Sequence, residues 1–314
     1  MEAARLTVKD VLMRVATDAR LRRAAENRTM SHEIVRRYIA GESISSAMDV
    51  ASWLAARGRR VSLTHLVAEP VDLAQTQARR KRIRKVIRRL ADAGLTGDDR
   101  ADVSVRLCVL GAGLGQAGRV TARDHLAFLA DVGQEHGVTL TVEVEPAVSP
   151  DLTIELFHEV RTLHPSACLS LQACCRRTEA DARELAATGA RVRLTKGAPG
   201  NDEGVFGSQH EVDRAYVRAV QPLLEGSSWV SIATHDERLI QISEALITRL
   251  GRDRDSVEFQ LRYGVRPEKQ AEIADRGDHL RVYVPFGEDW YPYLARRVAD
   301  SPGEILSLIA ATAR

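Results

Sequence analysis

The sequence predicts an α/β protein, a (β/α)8 TIM-like barrel carrying N-terminal helices. Three observations predict it. Eight short β-rich runs follow one another from Arg60 to Gly287, amphipathic helical stretches separate them, and together they fill the roughly 250 residues such a barrel needs. A doubly wound open sheet is the alternative, for which the glycine spacing after the strand run 102–110 is a weak signal. GAGLGQAG (111–118) lacks the acidic partner on a second strand and reads as a loop.

The elements follow in order. Residues 1–56 form an N-terminal helical segment: LTVKDVLMRVA (6–16) is amphipathic, Ser46 to Ala56 is a further helical run, and no strand signal interrupts them. Residues 57–314 form the barrel. Its strand candidates are RVSLTHLV (60–67), DVSVRLCVL (102–110), VTLTVEVE (138–145) and ACLSLQAC (167–174), then RVRLTKGA (191–198), WVSIATH (229–235), VEFQLRYG (257–264) and LRVYVPFG (280–287). AQTQARRKRIRKVIRRLADAG (74–94) and TEADARELAATG (178–189) are two of the intervening helices. The last helix is YPYLARRVAD (291–300), with Pro292 in its first turn. At 100° per residue it gathers Tyr293, Arg296, Arg297 and Asp300 on one side.

Composition excludes several functions. The formal charge of +2 over 314 residues makes no global field for nucleic acid or an acidic membrane. Arg79 to Arg89 holds eight Lys or Arg among eleven residues, yet Ile83, Val86, Ile87 and Leu90 recur at helical spacing, which describes an outer barrel helix with a solvated basic face. Cys108, Cys168, Cys174 and Cys175 form no CxxC, and the histidines form no HxH or HxxxH, so neither a disulfide framework nor a metal site is expected. GxSxG and GxxxxGK[ST] are absent, which removes support for serine hydrolase and P-loop chemistry. The N-terminus is too polar for a secretory signal, and no run approaches the roughly 18 apolar residues of a membrane span. A cytoplasmic protein is the expectation, with peripheral membrane contact left open.

Polar side chains recur where buried parallel strands should be apolar. They are Arg106, Glu143, Gln172, Arg193, Lys196, His235, Gln260, Arg262 and Tyr283. Inward charges are costly unless paired, so either a structural charge layer closes the barrel or a ligand completes it. The cations outnumber Glu143, and that surplus favours an anionic ligand. In RLTKGA (193–198) a strand ends in a cation and turns tightly, so that Gly197 admits a ligand to the backbone and Lys196 can meet a phosphate. THDE (234–237) offers a hydroxyl, an imidazole and a helix start suited to a pyrophosphate.

These segments resemble the proline dehydrogenase family. VRLTKGA resembles the family's VRLVKGAY, ATHDE its ATHN/ATHD element, EFQLRYGVRP its EFQMLYGVRP, and RVYVPFGEDWYPYLARRVAD its final strand and helix with the YxxRRxxE signature. The resemblance runs from about Arg60 to Asp300. It implies a barrel that binds FAD noncovalently at the strand C-termini and oxidises proline or a related amino or imino acid to the imine, with hydride passing to flavin N5. Arg296 and Arg297 would then hold the substrate carboxylate, with Arg106, Arg262, Tyr283 and Tyr293 lining the pocket. Arg193 would sit near N5, with Glu143 the other catalytic residue. Val144, Gln172, Arg193, Lys196, Gly197, Ala198, Thr234 and His235 would contact FAD. The electron acceptor, a quinone or another compound, is left open.

The departures from the family pattern concentrate in the pocket. SVKLSAL becomes SVRLCVL with Arg106, the Asp of LDxE becomes Glu143, the tyrosine after KGA becomes Pro199, QAY becomes QAC at Cys174, and the leucine before Tyr-Gly becomes Arg262. LDLLGE becomes THLVAE, retaining Glu69, and Asp300 replaces the family's Glu. The expectation is retained flavin chemistry with specificity altered from proline, toward a larger or more polar substrate carrying a second acidic group or an N–N function. Pairing of Glu143 with Arg262 or Arg106, with proline still bound, is the plainer alternative. A flavin-free barrel that binds an anionic metabolite is another.

Overall fold

The computed structural model describes residues 35–145 and 148–300, apart from the side chains of Arg296 and residues 298–300. The expected helix at 6–16 and the side-chain calls on Arg296 and Asp300 therefore lie outside the described residues. Helix α1 (Ile44–Ala55) opens on a capping box between Ser43 and Ser46. Eight parallel strands then close a barrel in sequence order: β1 (Arg60–His65), β2 (Ala101–Arg106), β3 (Thr139–Glu143), β4 (Cys168–Gln172), β5 (Arg191–Thr195), β6 (Trp229–Ala233), β7 (Val257–Arg262) and β8 (Leu280–Phe286). The β1–β8 pairing, Ser62 opposite Tyr283, shuts the ring.

Between the strands run α2 (Leu73–Asp92), the short α3 (Leu107–Leu110), α4 (Gly115–Glu135), α5 (Pro150–Leu163), α6 (Thr178–Ala186), α7 (Gln209–Glu225), α8 (Glu237–Arg249) and α9 (Pro267–Asp275). Helix α10 (Trp290–Asp300) follows β8. The basic α2 buries Ile83, Val86, Ile87 and Leu90 and exposes Lys81, Arg84, Lys85, Arg88 and Arg89, as its periodicity predicts. GAGLGQAG departs from expectation in its second half. Helix α4 begins at Gly115, because the apolar face of Ala122, Leu126, Leu129 and Ala130 carries the helix back into the glycine-rich stretch.

Period-2 alternation divides the barrel into two environments. The outward row, with Val61, Leu63, Val103, Val142, Leu169, Val192, Val230 and Val282, packs under the helices in the main hydrophobic core, which α1 joins through Ala47, Met48, Ala51 and Leu54. The inward row is polar: Ser62, Asp102, Thr141, Arg193, Ser231, Glu258 and Arg281 are all buried. Their hydrogen bonds cross the ring, as from Arg193 on β5 to Ser62 on β1 at 3.0 Å.

A second, smaller core sits at the C-terminal rim. Tyr38, Ile39, Leu66, Val265, Trp290 and Leu294 form it, and Tyr291 and Tyr293 pack against it. Residues 38–42 cross this rim as a strap. Ala40 N–H donates to Pro285 O at 2.8 Å, Gly287 N–H to Gly41 O at 3.0 Å, and Trp290 Nε1–H to Glu42 Oε1 at 2.9 Å.

Candidate active site

The inward polar residues lie in two levels. At the floor, near the strand N-termini, Arg281 Nε donates to Glu258 Oε1 at 2.8 Å and its Nη2 pairs with Asp99 at 2.9 Å. Arg60 reaches both carboxylates at 3.4 and 3.5 Å, and Arg191 pairs with Asp99. Burial alone would raise the Asp99 pKa, but Arg281 and Arg191 outweigh it and hold the carboxyl below its ordinary value.

Above the floor, Arg193 is the hub. Its Nη2 donates to Asp102 Oδ1 at 2.9 Å and Thr141 Oγ1 at 3.2 Å, and its Nη1 to Ser104 Oγ at 2.8 Å. Asp102 also accepts from the Ser62 and Thr141 hydroxyls. Burial works against the Arg193 charge, and the Asp102 carboxylate overcomes it, so the guanidinium stays protonated with its pKa raised. Glu143 completes this level. Its Oε1 accepts from Ser104 at 2.6 Å and from Tyr283 Oη at 3.2 Å, and stands 3.7 Å from Arg193 Nη1. Burial and the Glu143 charge push the Tyr283 phenol well above its usual range, so it stays a donor.

The strand C-termini carry the rest. Arg106 donates to Val67 O at 2.9 Å. Gln172 donates Nε2–H to Val144 O at 2.7 Å, leaving its Oε1 beside the Cys174 thiol at 3.6 Å. Gly197 turns with φ +69, and a Cβ there would collide with Cys174 Sγ and crowd Gln172 Oε1, so the turn before Ala198 demands glycine. Lys196 lies between two carboxylates, 2.6 Å from Asp213 and 2.9 Å from Asp236. Burial raises the Asp236 pKa, but bonds from Lys196 and Arg238 reverse this and bring it to about 2. Asp236 caps α8, and its own N–H donates to Thr234 Oγ1 at 3.1 Å.

His235 does not cap the helix. Its Nε2 accepts from the Arg262 N–H at 2.9 Å, which leaves the ring proton on Nδ1. Burial, then the charges of Arg262, Arg297 and Arg266, hold its pKa well below the ordinary value. Arg297 and Arg262 are thus both close to His235, on the side of the mouth where α10 crosses. Arg262 is exposed and makes no ion pair among the described residues. Arg297 is buried with its guanidinium 5.3 Å from the Tyr38 ring centroid. Tyr293 is near enough to Tyr283 to help raise its pKa. Tyr293 Oη and Gln260 Nε2 are buried with no hydrogen-bond partner among the described residues.

The geometry therefore joins Glu143 to Tyr283 by a hydrogen bond and to Arg193 by a 3.7 Å ion pair, Lys196 and Thr234 through Asp236, and Gln172 with Val144 under the Gly197 turn. It does not join Glu143 to Arg262: the described residues contain no ion pair between them. Sequence reading overcounted free cations. Asp102, Asp213 and Asp236 neutralise Arg193 and Lys196, and Glu145, which accepts from Cys108 N–H at 2.9 Å, adds an acid beside Arg106. The alternation of Asp102, Ser104 and Arg106 on one face was the available signal for Asp102. Nothing local announced Asp213, which lies on α7, or Tyr38.

Residues 47–301 match the protein-family model described as proline dehydrogenase. Among curated proteins, the chain is 29% identical over 269 residues to proline dehydrogenase 2 of Bacillus subtilis (strain 168), covering 85% of this chain and 86% of that protein. It is 29% identical over 274 residues to proline dehydrogenase of Deinococcus radiodurans, covering 86% of each. Among solved structures, proline utilization A from Bdellovibrio bacteriovorus superposes with a TM-score of 0.79 at 19% identity, over 96% of this chain and 39% of that one. A variant of proline utilization A from Bradyrhizobium japonicum gives 0.72 at 21% identity, over 87% of this chain and 31% of that one. At these identities the solved structures speak for the fold.

Proposed function

The chain belongs to the proline dehydrogenase family of oxidoreductases, and from that premise we propose that it is an FAD-dependent enzyme oxidising proline or a related amino or imino acid, with specificity moved away from proline itself. One observation carries the reading. The barrel mouth holds Glu143, hydrogen-bonded to Tyr283 and paired with Arg193, beneath a helix that carries Arg297 and a Tyr293 hydroxyl with no partner among the described residues.

The residues of the mouth suit a flavin. Buried Tyr293 Oη and Gln260 Nε2 lack a hydrogen-bond partner among the described residues, which a polar ligand would supply. Lys196 has three donors and two acidic partners, so one donor remains for a phosphate, with the N-terminus of α8 beside it. Val144, Gln172, Arg193, Lys196, Gly197, Ala198, Thr234 and His235 would hold the cofactor. When bound, FAD supplies the hydride acceptor.

The chain's own residues do the positioning. Arg297, with Arg296 beside it, would bind the substrate carboxylate through planar bidentate bonds. The protein bonds to Glu143 and its ion pair with Arg193 all fall on Oε1, so Oε2 would face the substrate amine and draw its N–H. Arg193 is held rigidly by Asp102 and Ser104, so its charge costs no reorganisation as negative charge builds at the acceptor. His235 stays neutral, sparing the mouth another cation.

Altered specificity rests on Arg262 and Pro199. Glu143 is engaged by Ser104, Tyr283 and Arg193, so Arg262 would be left to meet a second acidic group on the substrate. The spectrum of the purified protein, followed by anaerobic addition of amines, tests the proposal. Flavin bands that bleach with a proline derivative bearing a second carboxylate, faster than with L-proline, are the expected result. L-proline turnover unmatched by any other amine would sink the altered specificity alone. A colourless protein that takes up no FAD would sink the flavin reading and leave a barrel that binds an anionic metabolite.

A further inference from the structure

We propose that Tyr38 is a positioning residue for the acid clamp, supplied by a strap that lies ahead of the family-matched residues 47–301. The inference rests on the reading that Arg297 binds the substrate carboxylate. Tyr38 is 4% exposed, and Arg297 is 6% exposed with its Cζ 5.3 Å from the Tyr38 ring centroid. An arginine has a long stem and many rotamers. Stacked on an aromatic face out of solvent, the guanidinium keeps one plane and presents its fork in one direction.

The strap is itself firmly held, which lets Tyr38 act as a fixed surface. Main-chain bonds tie Ala40 and Gly41 to Pro285 and Gly287, on either side of the end of β8. Glu42 accepts from Trp290 Nε1 at the start of α10, the helix that carries Arg297. On the other side, Gly264 has φ +74, and a Cβ there would collide with the Arg37 carbonyl oxygen and come within 3.2 Å of Tyr38 Cδ1. The turn after β7 has thus given up its side chain to let the strap pass. Arg37 also approaches the Tyr38 ring, at 6.0 Å, and Arg297, at 5.3 Å, is the nearer cation.

The test uses Tyr38→Phe, Tyr38→Leu, Arg297→Met and the double variant Tyr38→Leu/Arg297→Met in the full-length protein. Two measurements are made: KM against kcat for the best amino-acid substrate with a dye acceptor, and calorimetric binding of cyclopentanecarboxylate, a ring acid with no amine to oxidise. Tyr38→Phe keeps the ring and is expected to stay within about twofold of wild type in both. Tyr38→Leu is expected to weaken the acid about tenfold, with the loss in KM rather than kcat. In the Arg297→Met background the same change is expected to do nothing further, because the ring then no longer holds the clamp's guanidinium. Wild-type affinity in Tyr38→Leu, or an equal loss in the Arg297→Met background, overturns the proposal. Unchanged affinity in Arg297→Met alone, or no binding of the acid by wild type, overturns the clamp reading beneath it. If melting curves show Tyr38→Leu unfolded, Tyr38→Met carries the same comparison.

Discussion

The floor and the mouth of this barrel are built from the same residue types and come to opposite ends. At the floor, three guanidiniums, Arg60, Arg191 and Arg281, surround Asp99 and Glu258, and the carboxylates meet cations on more than one side. At the mouth, among the described residues, Arg262 is exposed without an ion pair, and Tyr293 Oη and Gln260 Nε2 are buried without hydrogen-bond partners. Desolvated charge is tolerable only when its bonds are made within the protein, so a closed network is structure. An open one leaves bonds for another molecule to complete.

The comparison can be broken at either end. Glu258→Gln should have the largest effect, because it leaves three guanidiniums, among them the buried Arg281, to share the one carboxylate of Asp99. A loss of about 3–5 kcal/mol is expected in urea denaturation. A loss under about 1 kcal/mol would mean the floor is not a closed unit.

Mild acid should act on the rim and spare the floor. His65 ends β1, stacks on Phe286 at 5.2 Å, and is held at about 4 by burial and then by Arg82, Arg79 and Arg106. An unfolded histidine takes its proton near pH 6.5, whereas this one waits until about 4. The unfolded state therefore binds more protons in that window, and stability falls as pH drops through it. The loss attributable to His65 is about 3 kcal/mol, and His235 adds to it in the same direction. Denaturation midpoints measured from pH 7 to pH 4 should show the slope, and His65→Gln should flatten it.

Arg297→Met should raise KM for an acidic substrate roughly thirtyfold or more, while shifting the melting midpoint less than Glu258→Gln does. The reverse order would make Arg297 a structural cation like those of the floor. The smallest effect belongs to Arg262→Leu. Exposed as it is, it should change stability by no more than about 0.5 kcal/mol. It should shift preference about fivefold toward L-proline over a dicarboxylate derivative in competing rate measurements.

Much of the fold was legible because it is written in local periods. The eight strands, the buried stripe of α2 and the start of α8 each depend on neighbours a few residues away. The site was legible in part. RLTKGA, ATHDE and YPYLARRVAD are short segments, and their Lys196, His235 and Arg297 come together at the strand C-terminal end of the barrel. Charge balance was not legible. Asp102, Asp213 and Asp236 sit on three different elements, and only closure of the ring brings them to Arg193 and Lys196. Fewer cations are free than their number along the chain suggests: of Arg106, Arg193, Lys196 and Arg262, Arg106 and Arg262 are the two that make no ion pair among the described residues.

The sequence by itself determined the barrel, its family and the set of residues offered to a ligand, since each rests on spacing within a segment. Tertiary structure alone decided which of those residues are spent on one another. Arg193 is committed to Asp102 and Lys196 to two carboxylates, while Tyr38 reaches Arg297 from more than 250 residues away along the chain. Electrostatic pairing depends on distance through space, and in a closed barrel that distance is set by which strands face each other across the ring.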